Sequence, residues 1–244
     1  MMGEPGGALA PVLIVGATGG VGQALARRLH AAGHPLHLVA RRPEPLAALA
    51  QELGCPFTVA DVLDAAAMAR AVTEAGPALK GLVVAVGSIV LKPFKRTTTQ
   101  DFLDAFLLNV AAPADLMRLA EPALKAGSGS VVVFSSVAAG TGFANHAAIG
   151  AAKAALEGLV HSLAAEWAPA IRINAVAPSL TQTPLAQMLT SNPATATAIA
   201  AQHPLGRLGL PEDIAQAAEF CLTNTWMTGQ VVRVDGGRSV VAGK

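Results

Sequence analysis

Seven short apolar runs recur along the chain: Val12–Val15, Leu36–Val39, Phe57–Val59, Leu82–Val86, Val131–Phe134, Ile171–Val176 and Val231–Val234. Most are apolar throughout rather than alternating, as expected of strands covered on both faces. Between them lie segments with helical spacing: Gly20–Ala32, Pro45–Leu53, Ala65–Ala75, Asp101–Ala123, Ala147–Trp167 and Pro211–Leu222. Gly33 and Gly76 stand where the first and third helices should stop. This alternation predicts an α/β fold, a doubly wound parallel seven-stranded sheet with helices on both faces, formed by a single domain spanning 1–244. The longest stretch without a strand is Ala177–Gln230, and its first part carries Pro178, Pro184, Pro193 and Pro204. Open α/β sheets bind ligands beyond the C-terminal ends of their strands, so 178–207 reads as a substrate lid. A packed helical excursion is the alternative.

Composition narrows the function. Apolar residues make up 52% of the 244, and charged residues only 14% against a usual figure of about 25%. That excludes intrinsic disorder and suggests a surface partly covered by other subunits. The net charge is +1 with no basic run, which gives no support to nucleic-acid binding. No apolar stretch reaches the ~18 residues of a membrane span. The longest, Gly81–Leu91, is bracketed by Lys80 and Lys92. Met1–Pro11 lacks a basic segment followed by an apolar one, so no secretory leader is expected and the protein reads as cytoplasmic. Cys55 and Cys221 make neither a disulfide framework nor a metal cluster, and read as small core residues in a reducing compartment. The chain contains no tyrosine.

The clearest chemical signal follows the first apolar run: Gly16-Ala17-Thr18-Gly19-Gly20-Val21-Gly22, continuing into a helix. A strand, a glycine-rich turn and a helix bring backbone N–H groups and the positive helix end against a pyrophosphate, the Rossmann arrangement. Gly16 permits the tight turn, Gly20 the close approach of the ligand and Gly22 the packing of helix on sheet. The second run ends at Ala40-Arg41-Arg42. An acid there would bind the ribose diol of NAD; a guanidinium fork suits a 2′-phosphate, so NADP(H) is favoured while NAD(H) stays possible. The alternative is that Arg41 and Arg42 are solvated residues at a helix start. Asp61 and Val62, after the third run, would lie against adenine, or Asp61 would belong to the start of the next helix.

Together with further segments, this turn resembles the short-chain dehydrogenase/reductase family over nearly the whole chain. The glycines have that family's G-x-x-x-G-x-G spacing. Asn109 falls where the family has a helix asparagine, Ser135-Ser136 where its serine follows the fifth strand, and Lys153 at its lysine. Ile171–Pro178 is similar to its sixth strand. Pro204–Arg207, Pro211–Ile214, Thr228–Gln230 and Val234–Gly237 follow in its order. The resemblance implies hydride transfer between nicotinamide and a small-molecule carbonyl or alcohol, with cofactor contacts from Gly16, Thr18, Gly20, Val21, Gly22, Arg41, Arg42, Asp61, Val62, Gly87, Lys153, Pro178, Leu180 and Thr183. It also implies a homo-oligomer, a tetramer, built through the long fifth and sixth helices and the C-terminal segment.

Four departures stand out. Val15 replaces a threonine, Val83–Gly87 replaces an asparagine-containing segment, and Ser179 replaces a glycine. The family's tyrosine lies four residues before its lysine and thirteen after its serine, and both counts arrive at Ile149. Isoleucine cannot exchange a proton. General acid–base help is worth about 10²–10⁴-fold, so its loss slows a reaction without forbidding it. The resemblance leaves Ser136 to orient a carbonyl, Lys153 to bind ribose and Asn109 to hold a relay water. His146 is the candidate replacement acid: with Asn145 as helix cap it would share a helix stripe with Ile149 and Lys153, and a neutral imidazole can still donate from one nitrogen. His161 and His203 read as surface or interface residues. Phe94, Phe143, Leu185, Met188 and Leu189 suggest an apolar substrate side. Two functions compete: an NADP(H)-dependent reductase or dehydrogenase with an altered proton donor, and a cofactor-binding sensor or structural subunit with little turnover.

Overall fold

The central strands form where the chain offers short, mostly apolar runs that are buried on both faces, while the edge strands are partly exposed. The computed structural model describes residues 9–241; residues 1–8, most of the segment considered for a leader, lie outside them. The strands are β1 (Val12–Val15), β2 (Leu36–Ala40), β3 (Phe57–Val59), β4 (Gly81–Val84), β5 (Ser130–Phe134), β6 (Arg172–Pro178) and β7 (Val231–Val234). They form one parallel sheet in the order β3-β2-β1-β4-β5-β6-β7. The expected α/β doubly wound fold is what the chain adopts.

Helices α1 (Gly20–Ala31), α2 (Pro43–Leu53), α3 (Ala65–Ala75), α4 (Thr99–Phe106), α5 (Ala112–Ala126), α6 (Ala147–Trp167), α7 (Gln187–Thr190), α8 (Pro193–Ala200) and α9 (Pro211–Thr223) follow in order. Strand residues alternate between two cores. Leu13, Val15, Leu82 and Val84 face one with α3, α5 and α6; Val12, Ile14 and Val83 face the other with α1, α2 and α9. At about 25 cal/mol per Å² of apolar area buried, these two layers supply the main driving force for the fold. Paired ions fasten the second layer at its surface: Arg27 to Glu52 and Arg28 to Glu219. Being largely exposed, they add little to stability.

The expected continuous helix Asp101–Ala123 is instead interrupted. A wide π-helical turn, Leu107–Ala111, separates α4 from α5. Asn109 sits in it, buried, and its amide donates to the Ala105 carbonyl at 2.9 Å. The stretch 178–207 is helical in part, holding α7 and α8. Cys55 and Cys221 are both free, and burial raises the pKa of each thiol, that of Cys221 to about 11. Among the described residues no helix is long and apolar enough to cross a membrane, and no cluster of metal-ligating side chains occurs.

Candidate active site

Strand order reverses between β1 and β4, and the crevice beyond their C-terminal ends is where such sheets take ligands. A cavity of about 560 Å3 opens there. Its floor begins with the glycine turn. Gly16 has a φ of +89°, and a Cβ on it would lie 2.3 Å from the Ala85 carbonyl oxygen. A Cβ on Gly22 would lie 2.3 Å from the Gly16 carbonyl oxygen, so Gly22 packs α1 on the turn itself rather than on the sheet proper. Gly20 is crowded by the segment after β6: a Cβ there would meet the Thr183 methyl at 2.9 Å. Three turn amides are engaged, Gly16 and Ala17 with the Val39 carbonyl and Gly19 with the Gly16 carbonyl, and the Gln23 amide that follows donates to the Gly19 carbonyl. The amides of Gly20, Val21 and Gly22, the opening of α1, have no protein acceptor. Three convergent amides at a helix N-terminus fit a phosphate, and Gly19, Gly20, Val21 and Gly22 all line the cavity.

The opposite wall comes from β5, α6 and the segment between them. Ser136, His146, Ile149 and Lys153 line the cavity, together with Gly87, Pro178, Leu180 and Thr183. Lys153 is buried on α6, and its ammonium donates to the Phe134 carbonyl at 2.7 Å. Burial lowers its pKa from 10.5 to about 8. Asn109 approaches from the π turn: a Cβ on Gly87 would lie 3.1 Å from Asn109 Oδ1 and 3.4 Å from Lys153 Nζ. The two side chains therefore converge on one backbone position. Asn109 Oδ1 is buried without a hydrogen-bond partner, the circumstance in which an ordered water is expected. Ser136 Oγ accepts from the Ala138 amide at 3.2 Å, which leaves its O–H free to donate. Ser135 is turned the other way, donating to Glu157 at 2.6 Å.

His146 differs from expectation. Asn145 does not cap α6: its φ of +67° carries the chain through a left-handed turn, and His146 occupies the cap position without a side-chain cap bond. The imidazole bends back, with Nδ1 2.8 Å from the Ala144 carbonyl oxygen. A carbonyl can only accept, so Nδ1 carries a proton. In the neutral ring Nε2 is then an acceptor, and His146 can give a proton from Nε2 only as an imidazolium.

The remaining expected residues are not all brought together. Thr18 is buried in the turn, and its carbonyl accepts from the Gln23 side chain. Arg41 and Arg42 are exposed at the end of β2, outside the cavity lining, with Arg42 the residue before α2. Asp61 caps a local turn through the Leu63 amide, while Asp64 caps α3; Asp61 is thus not at the helix start. Val62 is part of the core. Of the apolar candidates, Phe143, Leu185 and Leu189 line the cavity, whereas Phe94 and Met188 do not and are exposed.

His161 is exposed as expected, but His203 is not a surface residue: it is 3% exposed. Its Nδ1 faces the Ile199 carbonyl oxygen at 2.8 Å, and its Nε2 faces Ser179 Oγ at 2.8 Å. Arg238, Gln202 and Ser179, which the motif reading left without a role, also line the cavity. The one advance signal was Ser179 itself, a hydroxyl where a glycine was expected.

Comparison with known proteins agrees with this geometry. Residues 16–239 match the family described as enoyl-(acyl carrier protein) reductase. A tropinone reductase homolog of Arabidopsis thaliana is 34% identical over 93% of this chain and 91% of its own length. A short-chain type dehydrogenase/reductase from Mycobacterium ulcerans superposes with a TM-score of 0.88 at 30% identity, covering 96% of this chain and 90% of that one. A tyrosine-to-phenylalanine variant of ElxO with NADPH bound superposes with a TM-score of 0.86 at 27% identity, covering 93% and 98%.

Proposed function

The chain belongs to the short-chain dehydrogenase/reductase family of oxidoreductases, and we propose that within it the whole chain acts as one nucleotide-binding unit, with 178–207 as lid, reducing a carbonyl compound or oxidising an alcohol with NADP(H) and without a tyrosine. The observation that carries this reading is the continuity of one cavity from the open amides of Gly20, Val21 and Gly22 to Ser136 and Lys153. Those amides would hold the diphosphate, and Lys153 the nicotinamide ribose. Pro178, Leu180 and Thr183 would meet the nicotinamide. Arg41 and Arg42, exposed and near the end of β2, are free to take a 2′-phosphate. That a tyrosine-to-phenylalanine relative holds NADPH supports cofactor binding without that phenol.

The bound nicotinamide would supply the hydride to the carbonyl carbon. The Ser136 hydroxyl orients the carbonyl oxygen by a hydrogen bond. A proton must then reach that oxygen, and Lys153 is the acid best suited to give it. Its pKa of about 8 is near working pH, where general acids are most effective. Asn109, converging on the same point, holds the water that returns a proton to the amine. His146 is a second donor, effective only as the imidazolium.

Titration with NADPH followed by its oxidation against a panel of ketones and aldehydes tests the reading. Expected are saturable NADPH binding and oxidation with at least one carbonyl, with His146→Ala keeping most of the rate. Lys153→Arg, which keeps a cation but holds its proton too firmly to act as an acid, should bind NADPH and lose most turnover. One observation favours a second reading, a nucleotide-binding protein with little turnover: Ile149, four residues before Lys153 on α6, is 5% exposed and offers the cavity no proton. NADPH retention without oxidation by any carbonyl would decide for that reading.

A further inference from the structure

Among the described residues, the cavity lining holds three basic side chains, His146, Lys153 and Arg238, and no carboxylate. Arg238 comes from the segment after β7, and its guanidinium carbon lies 4.5 Å from the centre of the Phe143 ring. The same ring is 5.5 Å from that of His146, which links Arg238 to the proton-transfer side of the cavity. Three contacts hold the guanidinium in place: the Phe143 face, Gln202 Oε1 at 2.6 Å and Ser179 Oγ at 3.4 Å. The proton positions behind it are determined. His203 Nδ1 donates to the Ile199 carbonyl, so in the neutral ring Nε2 accepts from Ser179, and the Ser179 oxygen is left to accept from Arg238.

The guanidinium is half-buried and, among the described residues, forms no ion pair. The nearby acid, Asp235, is engaged with the Gly237 and Ser239 amides. Two of the five guanidinium N–H groups have protein acceptors, which leaves a fork for a bidentate partner. Asp235 acts on this half-buried cation only through space, without an ion pair, and an anion that pairs with the guanidinium directly would offset the rest of its burial cost.

We propose that Arg238 receives the carboxylate of the substrate, so that this chain takes oxo acids in preference to neutral ketones. The proposal rests on the reading of the cavity as a reductase site and adds the substrate class to it. Ser179 and His203 are positioning residues that aim the guanidinium, and Phe143 is the surface on which it is held.

The test uses levulinate, its homologues with one to three further methylenes, and the methyl ester of each. Binding is measured by calorimetry with and without saturating NADPH, and NADPH retention is measured separately. The expected result is that at least one acid binds about tenfold or more tightly than its ester, as for a hydrogen bond to a charged partner. Arg238→Gln should erase that preference with ester affinity unchanged, and Arg238→Lys should restore only part of it. Equal binding of every acid and ester, no binding of any acid, or an acid preference that survives in Arg238→Gln would overturn the proposal. If the glutamine variant does not fold, the wild-type acid-to-ester ratio decides alone. An acid preference without NADPH retention upholds the carboxylate site and removes the reductase reading; NADPH retention without an acid preference does the reverse.

Discussion

The two ends of the cavity are built on different principles. The glycine turn works through main-chain groups: three open amides, a strained φ at Gly16, and a carbonyl 2.3 Å from where a Cβ of Gly22 would be. A side chain added at Gly16 or Gly22 collides with backbone. The other end is built of side chains projecting from α6 and the π turn, and there Ile149, where the resemblance leads one to expect a tyrosine, leaves the helix on its course. A phosphate cradle made of backbone tolerates little change, whereas acid–base chemistry carried by one side chain can be lost without loss of the fold.

Four measurements would sharpen or break that contrast. The largest effect is expected from Ile149→Tyr, which should raise carbonyl reduction by about 10³-fold, within the usual range for general acid help, while the NADPH dissociation constant stays nearly constant. Unchanged turnover would mean that the side-chain end is unsuited to hydride transfer in more than one respect. Next, Gly16→Ala should lower stability by about 3 kcal/mol, combining a left-handed penalty with overpacking, and should abolish NADPH retention; chemical denaturation and a fluorescence titration would read the two effects.

Lys153 comes third. Below about pH 8 it carries its proton in both the folded and unfolded chain, and the folded state bears the cost of burying the charge. Between about 8 and 10.5 the unfolded chain holds more protons at this lysine, so Lys153 adds to the stability of the nucleotide-free protein as pH rises across that window, by at most about 3 kcal/mol, against an opposing loss from about 9 upward, where the buried Cys221 thiol keeps a proton that the unfolded chain gives up. Urea midpoints at constant ionic strength would show the Lys153 part as the difference in pH slope between the wild type and Lys153→Met. Smallest, the pair Arg41→Ala and Arg42→Ala should weaken NADPH by about tenfold and leave NADH unchanged, the loss of charge-assisted bonds to one phosphate. Equal weakening of both would remove the basis for preferring NADP(H).

The centre of the sheet was legible because both its faces are covered, so β1 and β4 are plain apolar runs and the other strands are mostly apolar. The glycine turn was legible for the same reason that it is rigid: only glycine satisfies its geometry, and the spacing is visible in the letters. The break between α4 and α5 was not, since Leu107–Ala111 keeps a helical pattern and the wide turn is a backbone event marked only by Asn109 bonding to Ala105. Nor was the reversal at Asn145, where a residue that suits a cap also suits a left-handed turn. Ser179, His203 and Arg238 are far apart in the chain, and the end of β6, the helical stretch after it and the segment after β7 meet only in the folded sheet. An isolated histidine or arginine in a loop carries no periodic signal that could reveal such partners.

The contact between Thr183 and Gly20 has a consequence for anyone who redesigns this chain. The hydrogen on Gly20 faces the threonine methyl directly, so a side chain at position 20 requires a smaller residue at position 183, and a bulkier residue at 183 requires glycine at 20. Substitutions at the two sites will not add; they form one locus, to be varied in pairs, and libraries that change either alone will discard combinations that would have folded.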